Sequence, residues 1–451
     1  MSYGKIEPSY LIPHNWELYS EAAMIEYQQS IDEGLDIARY KEVFVTTSRL
    51  LRGEIKSRMA DIVFDIVRNA ETVEGYKYNE PSDLEGIKKL RKAENVPTVY
   101  DKATYESRLY GAWMGRVCGC MLGKSIEGIR TNELIPFLKE SGNYPMHRYV
   151  LRSDVTPETI QKYKFHFASS VYIDELDGMP PDDDTNYLLI AQELIEKHGR
   201  DFTPTDVAKV WMRTQSKEAY CTAERVAFCN FINGYYPPQS AIYKNPYREW
   251  IGAQIRGDYF GYVNPADPEA AAEMAWRDGG ISHVKNGIYG EMWISAMLAV
   301  AATGCDVKTA ILGGLAEIPA TSRLHEAICS VIDGYENGVS KEKCFADIHE
   351  KFDEYTGHGW CHTISNAMVV TASLLYGEGD YARSICMAVE TGFDTDCNGA
   401  TVGSVLGMLG GIDAIPSYWK DPINDTLYTN LIGMHRVNIT ECARKTLAHL
   451  K

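Results

Sequence analysis

Three consecutive aspartates, Asp182, Asp183 and Asp184, and a second acidic pair, Asp394 and Asp396, are the residues best suited to chemistry in this chain. The first run lies in Pro180-Pro-Asp-Asp-Asp-Thr185, at the entrance of a predicted helix. One aspartate there is an ordinary N-cap, and an acidic first turn suits the helix dipole. Three in a row exceed what capping needs, because neighbouring carboxylates repel and raise each other's pKa. The second cluster, Gly392-Phe-Asp-Thr-Asp-Cys-Asn-Gly399, fits the opening of a calcium loop from Asp394 onward. The fit fails where that loop needs a bidentate glutamate, because Val405 stands there, and an EF-hand is not expected. If the two clusters converge, their carboxylates form an all-oxygen site that cannot stay ionised without cations. Hard oxygen ligands select Mg²⁺, Mn²⁺ or Ca²⁺ over zinc or copper.

Two glycine-striped segments must position these groups. Gly111, Gly115, Gly119 and Gly123 recur every four residues, as do Gly399, Gly403, Gly407 and Gly411. In a helix each set lies along one face. A glycine inside a helix costs about 1 kcal/mol relative to alanine, so each quartet forgoes roughly 3–4 kcal/mol. Close backbone approach between two helices offsets that loss, which predicts that the stripes meet at the centre of a bundle. The second stripe starts at the Asp394/Asp396 cluster, so the packing of the two helices also sets the place of those carboxylates.

The rest of the chain reads as mostly helical. Apolar spacing predicts helices over 15–34 and 51–70. Ser82-Asp-Leu-Glu85 reads as a capping box, and Thr203-Pro-Thr-Asp206 as a cleaner one. A helix is expected from Asp184 to its terminator Gly199. The best strand pattern, 42–46, is short and weak. A soft boundary near 94–105 divides the chain into an N-terminal helical extension, 1–100, and a main domain, 101–451. Two stretches, 146–181 and 234–268, read as irregular, and the second carries tyrosines available for stacking on a ligand.

Composition narrows the partners. The 451 residues hold 45 Lys+Arg against 62 Asp+Glu, a formal charge of −17, which argues against a nucleic-acid groove or an anionic membrane as main partner. The start, Met1 to Pro8, has no apolar signal core, and no apolar stretch is long enough to span a bilayer. The 11 cysteines are odd in number, and none forms CxxC, so reduced thiols in a cytoplasmic protein are expected. His358 and His362 flank Trp360 and Cys361 at helical spacing, but the glutamate of an HExxH motif is missing, and zinc has little support there.

In combination and order, these motifs resemble the ADP-ribosylglycohydrolase family. The first stripe, Gly111-Ala-Trp-Met-Gly-Arg-Val-Cys-Gly-Cys-Met-Leu-Gly-Lys-Ser-Ile-Glu127-Gly, looks like the family's first core helix and the acidic residue beyond it. Asp183-Asp184-Thr185 looks like its first metal motif, and Gly392 to Gly399 like its closing one, in the Asp-Thr-Asp-Cys-Asn-Gly form of a bacterial branch. Ile281-Ser-His-Val-Lys-Asn-Gly-Ile-Tyr-Gly290 resembles the segment lining the ligand cleft. The resemblance covers about residues 105 to 415. It departs at Asp182 and at Cys397, where the family commonly has threonine.

The resemblance implies an all-α orthogonal helical bundle and a centre of two divalent cations, Mg²⁺ or Mn²⁺, held by Asp182, Asp183, Asp184, Asp394 and Asp396. It implies hydrolysis of a ribosyl glycosidic bond, with a ribosyl-containing small molecule or an ADP-ribosylated target as partner. Glu127 is then the acid/base group or a metal ligand, the alternative being a surface partner of Lys124. Asp183 positions or deprotonates the attacking water. His283, Asn286, Tyr289 and Gly290 are implied substrate contacts, with a cap or core role open for His283. Two other functions stay open: hydrolysis of a smaller ribosyl or nucleoside-like glycoside, and a non-catalytic, crystallin-like or ligand-binding role.

Overall fold

The computed structural model describes residues His14–Leu450. The fold is all-α: among these residues the only sheet is a two-stranded antiparallel hairpin, Thr426–Leu431 with Met434–Asn438. No described helix is long and apolar enough to cross a membrane.

The two striped segments are helices, Lys102–Lys124 and Thr395–Gly410, packed antiparallel along their glycines. A Cβ added to Gly111 would stand 2.5 Å from the Gly407 carbonyl oxygen. Gly115 meets Gly403 in the same way, Gly119 meets Gly399, and Gly123 meets the backbone of Thr395 and Asp396. The obstacle at each layer is backbone, which cannot rotate aside as a side chain can. The antiparallel register brings the end of the first striped helix to the start of the second, and Thr395 Oγ1 donates to the Gly123 carbonyl at 3.0 Å. The opposed helix dipoles favour this meeting.

Beside the stripes runs Asn286–Ala301, a helix with every residue buried, as expected of one apolar on all sides. The Asp184–Gly199 expectation becomes helix Asp183–His198, capped by Asp182 and ended at Gly199 with φ 73°. Thr203 forms its capping box with Asp206. The other proposed box shifts by one residue: Asp83 caps Leu84–Lys89, while Ser82 Oγ accepts the Lys285 N–H at 3.0 Å. The predicted strand at 42–46 lies inside helix Lys41–Arg49, where Phe44 and Thr47 are buried at helical spacing. The predicted 15–34 helix divides into two 3₁₀ turns, Asn15–Glu17 and Tyr19–Ala22, followed by helix Ala23–Asp32. Much of 234–268 is buried rather than looped out, and Tyr247, Tyr259 and Tyr262 are core residues.

The N-terminal segment has a small apolar cluster of its own around Tyr19, Ile37, Phe44, Ala60 and Val63. It docks on the rest through buried ion pairs: Glu26 and Glu33 to Arg248 at 2.9 and 2.6 Å, and Glu80 to Arg323 at 2.7 Å.

Candidate metal centre

Arg116 is the one charged residue within the first stripe, and its role is to anchor the entrance of the next acidic helix. Its Nε donates to the Asp184 carbonyl, and its Nη2 to Asp184 Oδ1, both at 2.8 Å. Its Nη1 pairs with Asp258 Oδ2 at 3.0 Å. All three side chains are fully buried. A guanidinium buried among two carboxylates holds a rigid geometry, because removing any partner leaves an uncompensated charge.

The acidic start of helix Asp183–His198 and that of Thr395–Gly410 thereby converge, although some two hundred residues separate them in sequence. One oxygen of Asp184, one of Asp396 and Cys397 Sγ lie within 4.8 Å of one another, and so do ligand atoms of Cys120, Asp182 and Asp184. Asp184 Oδ2 and Asp396 Oδ1 are buried with no hydrogen-bond partner. Asp394 stands at an N-cap yet makes no side-chain cap bond, and its carboxylate turns to the cavity instead. Asp182 does cap: its Oδ1 accepts the Asp184 N–H at 2.9 Å, and its Oδ2 pairs with Lys124 Nζ at 2.5 Å.

Asp183, Asp394, Asp396 and Glu127 line one cavity of about 280 Å³, walled by Trp16, Trp250 and Trp360. Trp360 also carries the Arg130 guanidinium over its face at 4.7 Å. Glu127 is 45% accessible because it faces this space, and it lies 4.0 Å from Lys124 Nζ.

The crowding shifts the carboxyls upward. The Asp396 carboxylate, more than anything else, pushes Glu127 well above the usual range. Burial first, then neighbouring aspartates, raises Asp183 and Asp394 well above it. Burial lifts Asp184 despite Arg116, and it lifts Asp396 too, with Asp182 adding to the effect. Burial would raise Asp182 as well, but Lys124 takes it below its ordinary value. Desolvated, mutually repelling oxygens without donors fit a hard divalent cation, which would replace the protons that otherwise neutralise them.

The four residues 283, 286, 289 and 290 do not line this cavity. His283 is fully buried, with Nδ1 on Ser282 Oγ at 2.8 Å. Asn286 donates to Glu80 and Glu249 at 2.8 and 2.9 Å, Tyr289 donates to the Pro81 carbonyl, and Gly290 packs on Thr363 and Gln254. The tyrosines of 235–262 are also absent from the cavity wall, which is built with tryptophan. His358 Nε2 meets Asp32 Oδ2 at 2.9 Å, and His362 lies close enough to join them as a ligand group. Each ring, however, accepts an N–H at Nδ1, from Trp250 at 3.3 Å and from the Ile364 backbone at 3.1 Å. Each therefore carries its proton on Nε2, the atom that a metal would need; His358 Nε2 is bonded to Asp32, while His362 Nε2 lies 3.6 Å from Glu249 Oε2.

Sequence reasoning missed Arg116 as an organiser, although a lone charge inside an apolar stripe demands a buried partner. It also missed Trp16, for which no local signal exists, since only the docking of the N-terminal segment carries it to the cavity.

A helical scaffold that gathers carboxylates from two distant helix starts, with orphaned oxygens inside, defines a candidate divalent-metal centre. The family model for ADP-ribosylglycohydrolase matches residues 101–449, and the chain belongs to the ADP-ribosylglycohydrolase family. No curated protein matches the chain. A solved ADP-ribosylglycohydrolase-related protein complex is similar at a TM-score of 0.46 and 19% identity, covering 77% of this chain and 98% of that one.

Proposed function

We propose that the protein is a divalent-metal-dependent glycohydrolase that cleaves a ribosyl bond, with an ADP-ribosyl group as substrate. Family membership supports glycosidic hydrolysis. The observation that carries the metal requirement is the pair of partnerless buried oxygens, Asp184 Oδ2 and Asp396 Oδ1, beside a cavity lined by further carboxylates.

Asp183, Asp184, Asp394 and Asp396 would hold the metal, with Cys397 beside them and Asp182 behind. A bound Mg²⁺ or Mn²⁺ supplies Lewis-acid stabilisation of charge developing at the ribose and its leaving group. Glu127 opens onto the same cavity, and the neighbouring Asp396 carboxylate raises its pKa, the direction that suits a group passing a proton at the reacting bond. Asp183, exposed to the cavity, orients the attacking water. Trp16, Trp250 and Trp360 offer flat apolar faces to an aglycone, and Arg130 a charge for a phosphate.

A smaller ribosyl or nucleoside-like glycoside is the second reading, favoured by a cavity of about 280 Å³, just under the roughly 300–1,000 Å³ typical of ligand pockets. The test is hydrolysis of ADP-ribosylated protein, ADP-ribose derivatives and simple nucleosides, each with and without Mg²⁺ or Mn²⁺. Metal-dependent release of a ribosyl product from the first two supports the main reading, and release from nucleosides alone supports the second. No turnover of any of them with metal present would count against both.

A further inference from the structure

We propose that the Lys124 ammonium fills one of two cation positions in the acidic centre, so that the protein holds a single divalent ion, at Asp184, Asp396 and Cys397. The inference rests on the reading of this site as a divalent-metal centre.

The centre contains two groups of ligand atoms that share Asp184: Cys120 with Asp182 and Asp184, and Asp396 with Cys397 and Asp184. They differ in what already occupies them. In the first, both oxygens of Asp182 are engaged, one by the Asp184 backbone N–H and the other by Lys124 Nζ. Lys124 has four-fifths of its side chain buried and bridges toward Glu127. A divalent ion here would have to displace the ammonium from a buried carboxylate that it already neutralises, breaking an existing buried pair to make a new one. Nor can Lys124 easily move with its backbone. It follows Gly123, where an added Cβ would stand 2.3 Å from the backbone of Thr395 and Asp396, so the turn that carries it is locked to the second striped helix.

In the second group the cation in contact, Arg116, leaves oxygens unmatched. Arg116 takes Oδ1 of Asp184 and leaves Oδ2 bare, and Asp396 Oδ1 is bare as well. Both residues are almost wholly buried. Cys397 adds a polarizable sulfur at the cavity wall, which an ion such as Mn²⁺ tolerates better than Mg²⁺ does. The protein thus meets one half of the centre's negative charge with its own side chain and leaves the other half for an exchangeable ion.

The test counts ions. Metal-free protein is titrated with Mn²⁺, bound metal per chain is measured after desalting, and the bound form is examined by electron paramagnetic resonance. Wild type should bind one Mn²⁺ with the spectrum of an isolated ion. Lys124→Met keeps the apolar stem, removes the charge, and should bind two, with the spectrum of a spin-coupled pair. Two ions in wild type would overturn the inference and leave the metal centre standing. One ion in both proteins would overturn it too, since Lys124 would then fill no cation position. Binding of no ion would remove the metal-centre reading itself. If Lys124→Met fails to fold, wild-type crystals soaked in Mn²⁺ decide the matter. One anomalous peak, with Lys124 still on Asp182, is expected; two peaks with Lys124 displaced would refute the proposal.

Discussion

Gly119→Ala tests the reason for the glycine stripes more sharply than any bulky substitution. Helix propensity alone predicts stabilisation of about 1 kcal/mol. The structure predicts the opposite sign. The new methyl would collide with the carbonyl carbon and oxygen of Gly399 and approach the Ala400 nitrogen at 3.1 Å. These atoms belong to a helix, so relief requires the two helices to separate, and the same contact repeats in the neighbouring layers. Overpacking of a core typically costs about 1–3 kcal/mol, occasionally more, which exceeds the propensity gain. A matched control exists at Gly334, near the end of helix Arg323–Glu336, where an added Cβ meets only Val339 at 3.8 Å. Gly334→Ala should therefore be neutral or stabilising, by up to about 1 kcal/mol. Urea unfolding of the three proteins, followed by circular dichroism, measures both differences. A Gly119→Ala protein as stable as wild type would refute close backbone contact as the reason for the stripes.

Three further outcomes are expected. Mg²⁺ or Mn²⁺ should raise the melting temperature of wild type, by the equivalent of about 2.7 kcal/mol at a hundredfold excess over Kd. Asp394→Asn combined with Asp396→Asn should abolish the rise, and an undiminished rise would remove both residues from the site. Glu127→Gln should lower turnover by roughly 10²–10⁴ if Glu127 moves the proton; a shift only in the metal needed for full rate would make it a ligand instead. Burial raises Glu224 to about 7 although Arg256 opposes the shift. A carboxyl raised in the folded state binds more protons there than when unfolded, so its contribution to stability falls as pH rises from its ordinary 4.5 through 7. Glu224→Gln should flatten that part of the curve of melting temperature against pH, and a curve parallel to wild type would show that Glu224 does not titrate in this window.

The chain is a helical protein with two acidic helix starts, and both features are legible locally. Caps such as Thr203 and Asp182, and terminators such as Gly199, act within a few residues, so sequence alone places them. The stripes are equally legible, because four glycines at helical spacing make no sense in a helix unless another backbone approaches. Local patterns fail where long-range contacts compete. Residues 42–46 alternate weakly, yet burial of Phe44 and Thr47 on one face makes them helical. Ser82 is drawn from its cap by the distant Lys285. The hairpin of Thr426–Leu431 and Met434–Asn438 carries no strong pattern of its own and is braced by the Met179 N–H on the Thr426 carbonyl at 2.9 Å.

What the sequence determined by itself is the set of carboxylates and the helices that start with them, because residue type and spacing of three or four are enough to state both. What only the tertiary structure decided is which oxygens remain free. Asp182 and Asp184 are neighbours of the same chemistry, but Lys124 and a backbone N–H occupy both oxygens of the first, whereas Arg116 takes one oxygen of the second and leaves the other bare. The packing of the first striped helix against helix Asp183–His198 makes that difference, by setting Lys124 on Asp182 and Arg116 on Asp184. It arises from contacts between residues 58 and 68 positions apart, and no local pattern encodes such pairings.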